Sequence, residues 1–396
     1  MGALEYWIWL SAAAVSPRAK SALIEHYGDA EAAFHAPKGA FSQLPGVSAL
    51  EAERLERRDL SPVDPILGAC EEQGLRILAY PDAAYPARLR NIFAPPVVLY
   101  AKGRLPDVDG AALISVIGTR HASVYGLKMG RDLAYQICRC GGGVVSLLSQ
   151  GIDGEAARGA LLAEGTCVGV LGTAHEEHRS PLGRELAARG ALISEYPPGR
   201  SSQPQFFRER NRIAAGLSVG LVVVEAPERS GTRLFAQEAL EQGKEIFAVP
   251  GNVNAENSVG TLSMLKDGAR LVTCGWDVLV DFQGLFPGKL RDAGDDPAPL
   301  TGKRPEPAAA PEPEKKAVDK GGDAGYIDLR EQLSGLPEDQ LSILSAIEPG
   351  GTHVDDLILK TGLPTADVLR HLTILTIKNY VRRSPGNFYL LNIQKK

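Results

Sequence analysis

The chain has 396 residues and a formal net charge of −5 at pH 7. This length exceeds one typical core and implies two or three domains. The negative net charge excludes a protein that coats nucleic acid with its whole surface, so a nucleic-acid site must be confined to one region.

Neither membrane insertion nor export is expected. The longest apolar runs, such as residues 217–224, are too short to span a membrane. No basic segment precedes Trp7 and Trp9, as a signal peptide would require. The five cysteines form no C-x-x-C pair, which predicts free thiols and a reducing, cytoplasmic location.

Residues 1–65 predict a small helical module, of SAM or helix-hairpin-helix type. Apolar residues recur at helical spacing over 20–34 and 49–57. The Pro45-Gly46 pair predicts a turn between these two segments.

Residues 66–285 predict an α/β fold, an extended Rossmann-like domain with a parallel sheet. Continuous apolar runs, typical of strands buried on both faces, alternate with segments of helical length. The predicted strands are 113–117, 144–148, 168–171, 221–224 and 246–249. In such a sheet, ligands bind at the carboxyl ends of the strands.

The loops after the first two strands are candidate phosphate sites. Gly118, Thr119 and Arg120 lie ahead of a predicted helix, where backbone and hydroxyl donors bind anions. The alternative is a plain strand-to-helix turn. In the next loop, Gly151 lets a ligand approach the backbone, and Asp153 is expected to cap the helix. The G-x-G-x-x-G fingerprint is absent, so no cofactor is expected.

A basic and aromatic segment follows at residues 206–212. Arg208, Arg210 and Arg212 alternate along it, beside Phe207. Guanidinium groups match phosphate oxygens, and aromatic rings stack on bases. An isolated arginine run of this kind is more often a solvated helix face, and that alternative stays open.

A third loop, Ser230-Gly231-Thr232, opens another predicted helix and offers donors to an anion. Lys244 follows the glycine that ends this helix, either as a partner of the helix dipole or as a phosphate contact. The spacing of His175 and His178 is one residue short of the zincin pattern, so no metal is expected. The chain has no G-x-S-x-G elbow.

Residues 286–328 are rich in Pro, Ala, Glu and Lys and predict a disordered linker. Residues 329–396 predict a winged-helix-like domain. Its predicted helices are 339–347, 353–361 and 365–379, and a hairpin turns at Pro385-Gly386.

Together, these motifs resemble the DNA-processing protein A family (DprA, also called Smf) over nearly the whole chain. The matching blocks are 118–126 (GTRHASVYG), 194–199 (SEYPPG), 210–218 (RNRIAAGLS) and 247–251 (FAVPG). The resemblance implies a non-enzymatic, homodimeric protein that binds single-stranded DNA during natural transformation and loads the RecA recombinase. It also implies that Arg120, Phe207, Arg210, Asn211, Arg212 and Lys244 belong to a basic DNA-binding pocket.

The candidate DNA and phosphate site thus comprises Gly118, Thr119, Arg120, Gly151, Phe207, Arg208, Arg210, Asn211, Arg212, Ser230, Gly231, Thr232 and Lys244. One departure from the family pattern falls inside it, because Gln150 stands where an arginine is usual. Arg208 and Arg233 are candidates to compensate for that lost charge.

Two other functions stay open. A phosphoribohydrolase-like enzyme would use Ser230 to Thr232 with Glu238, although the paired glycines of such a loop are missing. A transcription factor would read duplex DNA through residues 365–378, which carry Arg370, His371 and Lys378.

Overall fold

The computed structural model describes residues 4–299, 337–348, 352–377, 380–384 and 388–391. The chain divides into two compact units, Met1–Pro305 and Glu306–Lys396. Within the described residues, no helix is long and apolar enough to cross a membrane.

Five helices form the N-terminal module. They are α1 (Leu4–Ala12), α2 (Pro17–Tyr27), α3 (Ala30–Phe34), α4 (Ala49–Glu56) and α5 (Val63–Gln73). The helix predicted over residues 20–34 is two helices, because the backbone N–H of Gly28 closes α2 and Asp29 caps α3. The expected boundary at residue 65 falls inside α5.

The module shares its core with the first two strands of the sheet. The strands are β1 (Arg76–Ala79), β2 (Val98–Gly103), β3 (Leu113–Ile117), β4 (Gly143–Ser146), β5 (Thr166–Leu171), β6 (Ala191–Ser194), β7 (Gly220–Val223), β8 (Glu245–Ala248) and β9 (Arg270–Leu271). Trp7 and Trp9 of α1 belong to one buried cluster with Val98 and Tyr100 of β2. The helical module is therefore packed onto the sheet domain through an apolar core.

The nine strands follow the order β1-β2-β6-β5-β4-β3-β7-β8-β9. Strands β3 to β9 pair in parallel, whereas β1 and β2 are antiparallel additions at one edge. The five predicted strands are confirmed and lie side by side in the centre, as β5-β4-β3-β7-β8. The chain leaves β3 in one direction and returns to its other side at β7, and such a reversal opens a crevice at the carboxyl ends.

Helices cover both faces of the sheet. They are α6 (Ala87–Arg90), α7 (Val124–Arg139), α8 (Ile152–Leu162), α9 (Pro181–Arg189), α10 (Phe206–Leu217), α11 (Gly231–Glu241), α12 (Val259–Lys266) and α13 (Gly275–Leu279). One buried cluster packs α7, α8 and α13 on one face, and a second packs α10 and α11 on the other. This arrangement confirms the predicted Rossmann-like class.

The first part of the predicted linker is folded onto the sheet domain. Phe286, Leu290 and Ala298 are buried. The backbone N–H of Arg291 donates to Cys140, and that of Ala298 donates to the Asp132 carboxylate. Residues 286–299 are thus ordered, in contrast to the prediction of a disordered linker. Their apolar side chains, spaced between polar ones, pack beside α7. Residues 300–328 lie outside the described residues.

The C-terminal unit contains α14 (Glu338–Ala346), α15 (Val354–Thr361) and α16 (Thr365–Ile377), and a small sheet of order β10-β12-β11. Its strands are β10 (Thr352–His353), β11 (Val381–Ser384) and β12 (Phe388–Leu391). Three helices followed by an antiparallel pair are the predicted winged-helix arrangement. The predicted Pro385-Gly386 turn lies outside the described residues.

Candidate nucleic-acid interface

A cavity of about 800 Å³ opens at the carboxyl ends of β3, β4 and β7. We call it the strand-end cavity. The predicted site residues that line it are Gly118, Thr119, Arg120, Phe207, Arg208, Arg210, Asn211, Ser230, Gly231 and Thr232. The fold thus gathers three separate loops and the start of α10 around one opening, as the topology predicts.

Arg210 forms the floor of this cavity. Its side chain is only 5% exposed. Its guanidinium donates to the carbonyl of Leu147 at 2.8 Å and to the hydroxyl of Ser149 at 3.0 Å. Burial lowers the pKa of Arg210 to about 10, so the group stays charged at neutral pH. Arg210 therefore holds the β4 loop in place while supplying a fixed positive charge.

Asp153 contributes a carboxyl group to the same floor. The helix α8 begins after Gly151 and has no side-chain cap, so the predicted capping role of Asp153 was wrong. Its side chain is buried and lines the cavity. Burial raises the pKa of Asp153 to about 6, although the charge of nearby Arg210 acts in the opposite direction. The charge of the cavity floor therefore depends on pH near neutrality.

Three side chains project from the rim. Arg120 and Arg208 are exposed, and no carboxylate of the described residues lies within ion-pair distance of either. Phe207 is 38% exposed, and the guanidinium of Arg210 lies 5.3 Å from its ring centre. The rim thus presents two uncompensated cations beside an aromatic ring that is accessible for stacking.

The N-terminus of α7 is not available to a ligand, contrary to the sequence prediction for Thr119. Glu225, at the end of β7, accepts from the backbone N–H of Ser123 at 2.9 Å and from the Ser123 hydroxyl. This carboxylate occupies the position that an anion would take. Thr119 donates its N–H to the Glu225 carbonyl, and its hydroxyl accepts from His121. Sequence reasoning missed Glu225.

The N-terminus of α11 is open. Ser230 is the N-cap residue, but its hydroxyl bonds no backbone group of the helix. That hydroxyl has no hydrogen-bond partner among the described residues, although it is buried. Gly231 beside it is exposed and lines the strand-end cavity. Because the helix begins at this exposed residue, the positive end of its dipole makes it the anion-binding part of the cavity.

Gly151 packs closely against the loop that carries Arg120. Its φ is +81°, and a Cβ placed there would lie 2.5 Å from the carbonyl oxygen of Thr119 and 2.8 Å from that of Arg120. Any larger residue would displace the loop that carries Arg120. Gly151 is therefore a packing requirement of the site and does not itself line it.

Arg212 and Lys244 do not line the strand-end cavity, so this cavity does not bring them together with the other predicted DNA contacts. Arg212 is 5% exposed and pairs with buried Glu195 at 2.6 Å. It lies one turn beyond Arg208 on α10, under the N-terminal module. Lys244 lines an adjoining groove along α11 with Arg229 and Arg233, and Ser230 and Leu234 line both this groove and the strand-end cavity.

Of the two arginines predicted to compensate for Gln150, Arg208 and Arg233, only Arg208 lines the strand-end cavity. Gln150 is exposed and lines a small recess beside Phe207 and Arg210. Arg208 faces the strand-end cavity, whereas Arg233 lies in the groove along α11 and its guanidinium donates to the Glu228 carbonyl. Arg208 is thus the candidate for compensation.

His175 and His178 both make hydrogen bonds within the protein. His175 Nε2 lies 2.8 Å from the Tyr100 carbonyl, to which it donates, and His178 bonds the Ser180 hydroxyl. Burial lowers the pKa of both imidazoles. The two rings therefore anchor the segment between β5 and α9.

Comparison with known proteins adds an independent result. The family model described as DNA recombination-mediator protein A matches residues 76–283, and the DprA winged helix domain matches residues 329–387. The DNA processing protein DprA of Bacillus subtilis is 36% identical over 54% of this chain and 73% of its own length. Protein Smf of Synechocystis is 29% identical over 97% and 98% of the two chains. The crystal structure of DNA processing protein A from Streptococcus pneumoniae superposes with a TM-score of 0.61 at 28% identity, covering 70% of this chain and 97% of that one.

Proposed function

The chain belongs to the DNA recombination-mediator protein A family, and on that premise we propose that it binds single-stranded DNA in the strand-end cavity without catalytic turnover. The proposal includes a homodimer that receives DNA in transformation and passes the strand to a RecA recombinase. The name of a relative, DNA processing protein DprA, supports the DNA-processing part of this proposal.

The observation that carries the proposal is the exposed ring of Phe207 beside Arg120, Arg208 and the open N-terminus of α11. A phosphate chain is attracted by the cations and by the helix end. An accessible aromatic ring stacks on a base, and only an unpaired strand offers its base faces freely. The combination therefore favours a single strand over a duplex.

This function is tested by comparing the affinity for a labelled single strand with that for a hairpin duplex, using fluorescence anisotropy. We expect the single strand to bind more tightly. Phe207→Ala should weaken that binding about tenfold or more, because stacking contributes about 1–3 kcal/mol per base. Phe93→Ala is the matched control, since Phe93 is 71% exposed and lies outside the strand-end cavity. Equal affinity for both DNA forms would refute the proposal.

The binding should depend on pH. Burial raises the pKa of Asp153 to about 6. Lowering the pH from about 7 to about 5 therefore neutralises a carboxylate beside Arg210, and the affinity for single-stranded DNA should rise, since phosphate binding follows local positive charge. Asp153→Asn should bind more tightly at pH 7 and show a flat profile. The measurement uses a His121→Gln background, because His121 lines the same cavity.

The same group affects stability with a defined sign. The pKa of Asp153 is raised in the folded state above its ordinary value of 3.8. Its contribution to folding is therefore fully present below about pH 3.8 and is lost as the pH rises through about 6. Asp153→Asn should remove this part of the pH dependence. An unchanged stability profile in the variant would show that Asp153 ionises normally.

The position of Glu238 argues against the hydrolase alternative. Burial raises the pKa of Glu238 to about 7, as a general acid would need. Yet Glu238 does not line the strand-end cavity, onto which Ser230 and Thr232 open. Incubation with nucleoside monophosphates should give no free base, and release of base would revive this function.

The described part of α16 offers few side chains for reading duplex DNA. Arg370 of α16 is exposed and pairs with Asp367 at 3.0 Å. His371 is buried against Gln340. Lys378 lies outside the described residues. These contacts favour an accessory role over sequence-specific recognition.

A further inference from the structure

A second cavity, of about 780 Å³, lies between the N-terminal module and the loop that follows β6. We call it the module cavity. Residues Gly199 to Phe206 form a ridge between it and the strand-end cavity. Gln203 lines both cavities, whereas Ser202 and Pro204 line the strand-end cavity and Ser201 and Gln205 line the module cavity. The two spaces are therefore neighbours across a single stretch of chain.

Three carboxylates line the module cavity, and each is already bonded within the protein. Their partners are Ser16 and Ser48 for Glu51, Arg212 for Glu195, and Tyr196 for Glu209. The second oxygen of Glu195 has no hydrogen-bond partner among the described residues, but it is buried. Of the three carboxylates, only Glu195 is paired with a cation, so Glu51 and Glu209 keep their negative charges.

The module cavity is also lined by arginines that have no carboxylate partner or only an exposed one. Arg54 is exposed and is held by the Ala14 carbonyl at 2.7 Å. Arg200 lies 5.7 Å from the ring centre of Phe206. Neither arginine has a carboxylate of the described residues within ion-pair distance. Arg57 has only an exposed partner at 3.6 Å, and such pairs contribute little.

Buried Lys20 adds a fourth positive charge. Its ammonium donates to the Ser11 carbonyl at 2.5 Å. These four cations outnumber the two carboxylates of the lining that have no cationic partner, so the module cavity attracts an anionic ligand. The ridge at Gln203 places that attraction directly beside the predicted path of a DNA strand.

We propose that the module cavity is an extension of the single-stranded DNA site, an inference that rests on the function proposed above. A strand that leaves the strand-end cavity crosses the ridge at Gln203, and its next phosphates bind Arg54 and Arg200. The N-terminal module is then part of the DNA-binding surface and lengthens the bound segment.

The test compares two lengths of oligothymidylate on the full chain, about six nucleotides and about twenty, a range that brackets common single-strand site sizes. The variant is Arg54→Ala with Arg200→Ala. Its control is Arg76→Ala with Arg139→Ala, which removes two exposed cations that lie outside both cavities. Affinity is measured by anisotropy over a range of salt concentrations.

We expect the variant to bind the long strand roughly tenfold more weakly, with a salt slope reduced by about 1.4, since each lost phosphate contact on a single strand removes about 0.7. Binding of the short strand should equal the wild type. Wild-type affinity for both lengths would overturn the continuation, and so would equal losses on both lengths. Absence of single-strand binding by the wild type would instead refute the proposed function itself.

Discussion

Arg212→Ala is expected to lower the free energy of unfolding by about 3–5 kcal/mol, the usual cost of removing one partner of a buried ion pair. The guanidinium pairs with Glu195 at 2.6 Å, and both side chains are more than nine-tenths buried. It also donates to the carbonyls of Ala94 and Glu209. Its removal leaves a buried carboxylate without a counter-charge. Urea denaturation followed by circular dichroism measures the loss.

A double variant separates the charge effect from the packing effect. Arg212→Met with Glu195→Leu removes both charges and keeps most of the volume, so most of the lost stability should return. The folded Arg212→Ala protein should bind a short single strand as the wild type does, because the side chain does not line the strand-end cavity. A tenfold loss of that affinity in folded protein would show that Arg212 contacts DNA after all.

The spacing of Arg208, Arg210 and Arg212 could not predict that they differ in exposure and in hydrogen-bond partners. All three alternate in one short segment, but Arg212 is buried by its position one turn deeper in α10. Its partner Glu195 directly follows β6, and this strand was not predicted. Four residues, Ala191–Ser194, are too few to distinguish a strand from a helix segment.

Other parts of the site follow from the sequence more directly. Continuous apolar runs predicted the five central strands, and the parallel order then placed Gly118 and Ser230 at one edge. What composition could not predict was which helix end stays open. Glu225 closes the N-terminus of α7 from a neighbouring strand, and only the pairing of β3 with β7 brings it there.

Gln150 stands where an arginine is usual in the family. Phosphate binding therefore depends more strongly on the exposed arginines of the rim. Arg210 is committed to the Leu147 carbonyl and the Ser149 hydroxyl. Arg120 and Arg208 have no such engagement, so their charges are available to phosphate. Charge-assisted contacts contribute about 1.5–3 kcal/mol each, more than a neutral hydrogen bond.

Arg120→Ala with Arg208→Ala should therefore weaken single-strand binding roughly 100-fold or more near 0.1 M salt and reduce the salt slope by about 1.4. Unfolding should be almost unchanged, because both side chains are exposed. Arg229→Ala with Arg233→Ala is the control for the adjoining path along α11, since these arginines line the groove there, which shares Ser230 and Leu234 with the strand-end cavity. Anisotropy titrations at several salt concentrations decide between them. An equal loss in the control pair would mean that DNA follows α11, and the strand-end cavity would then not be the principal binding site.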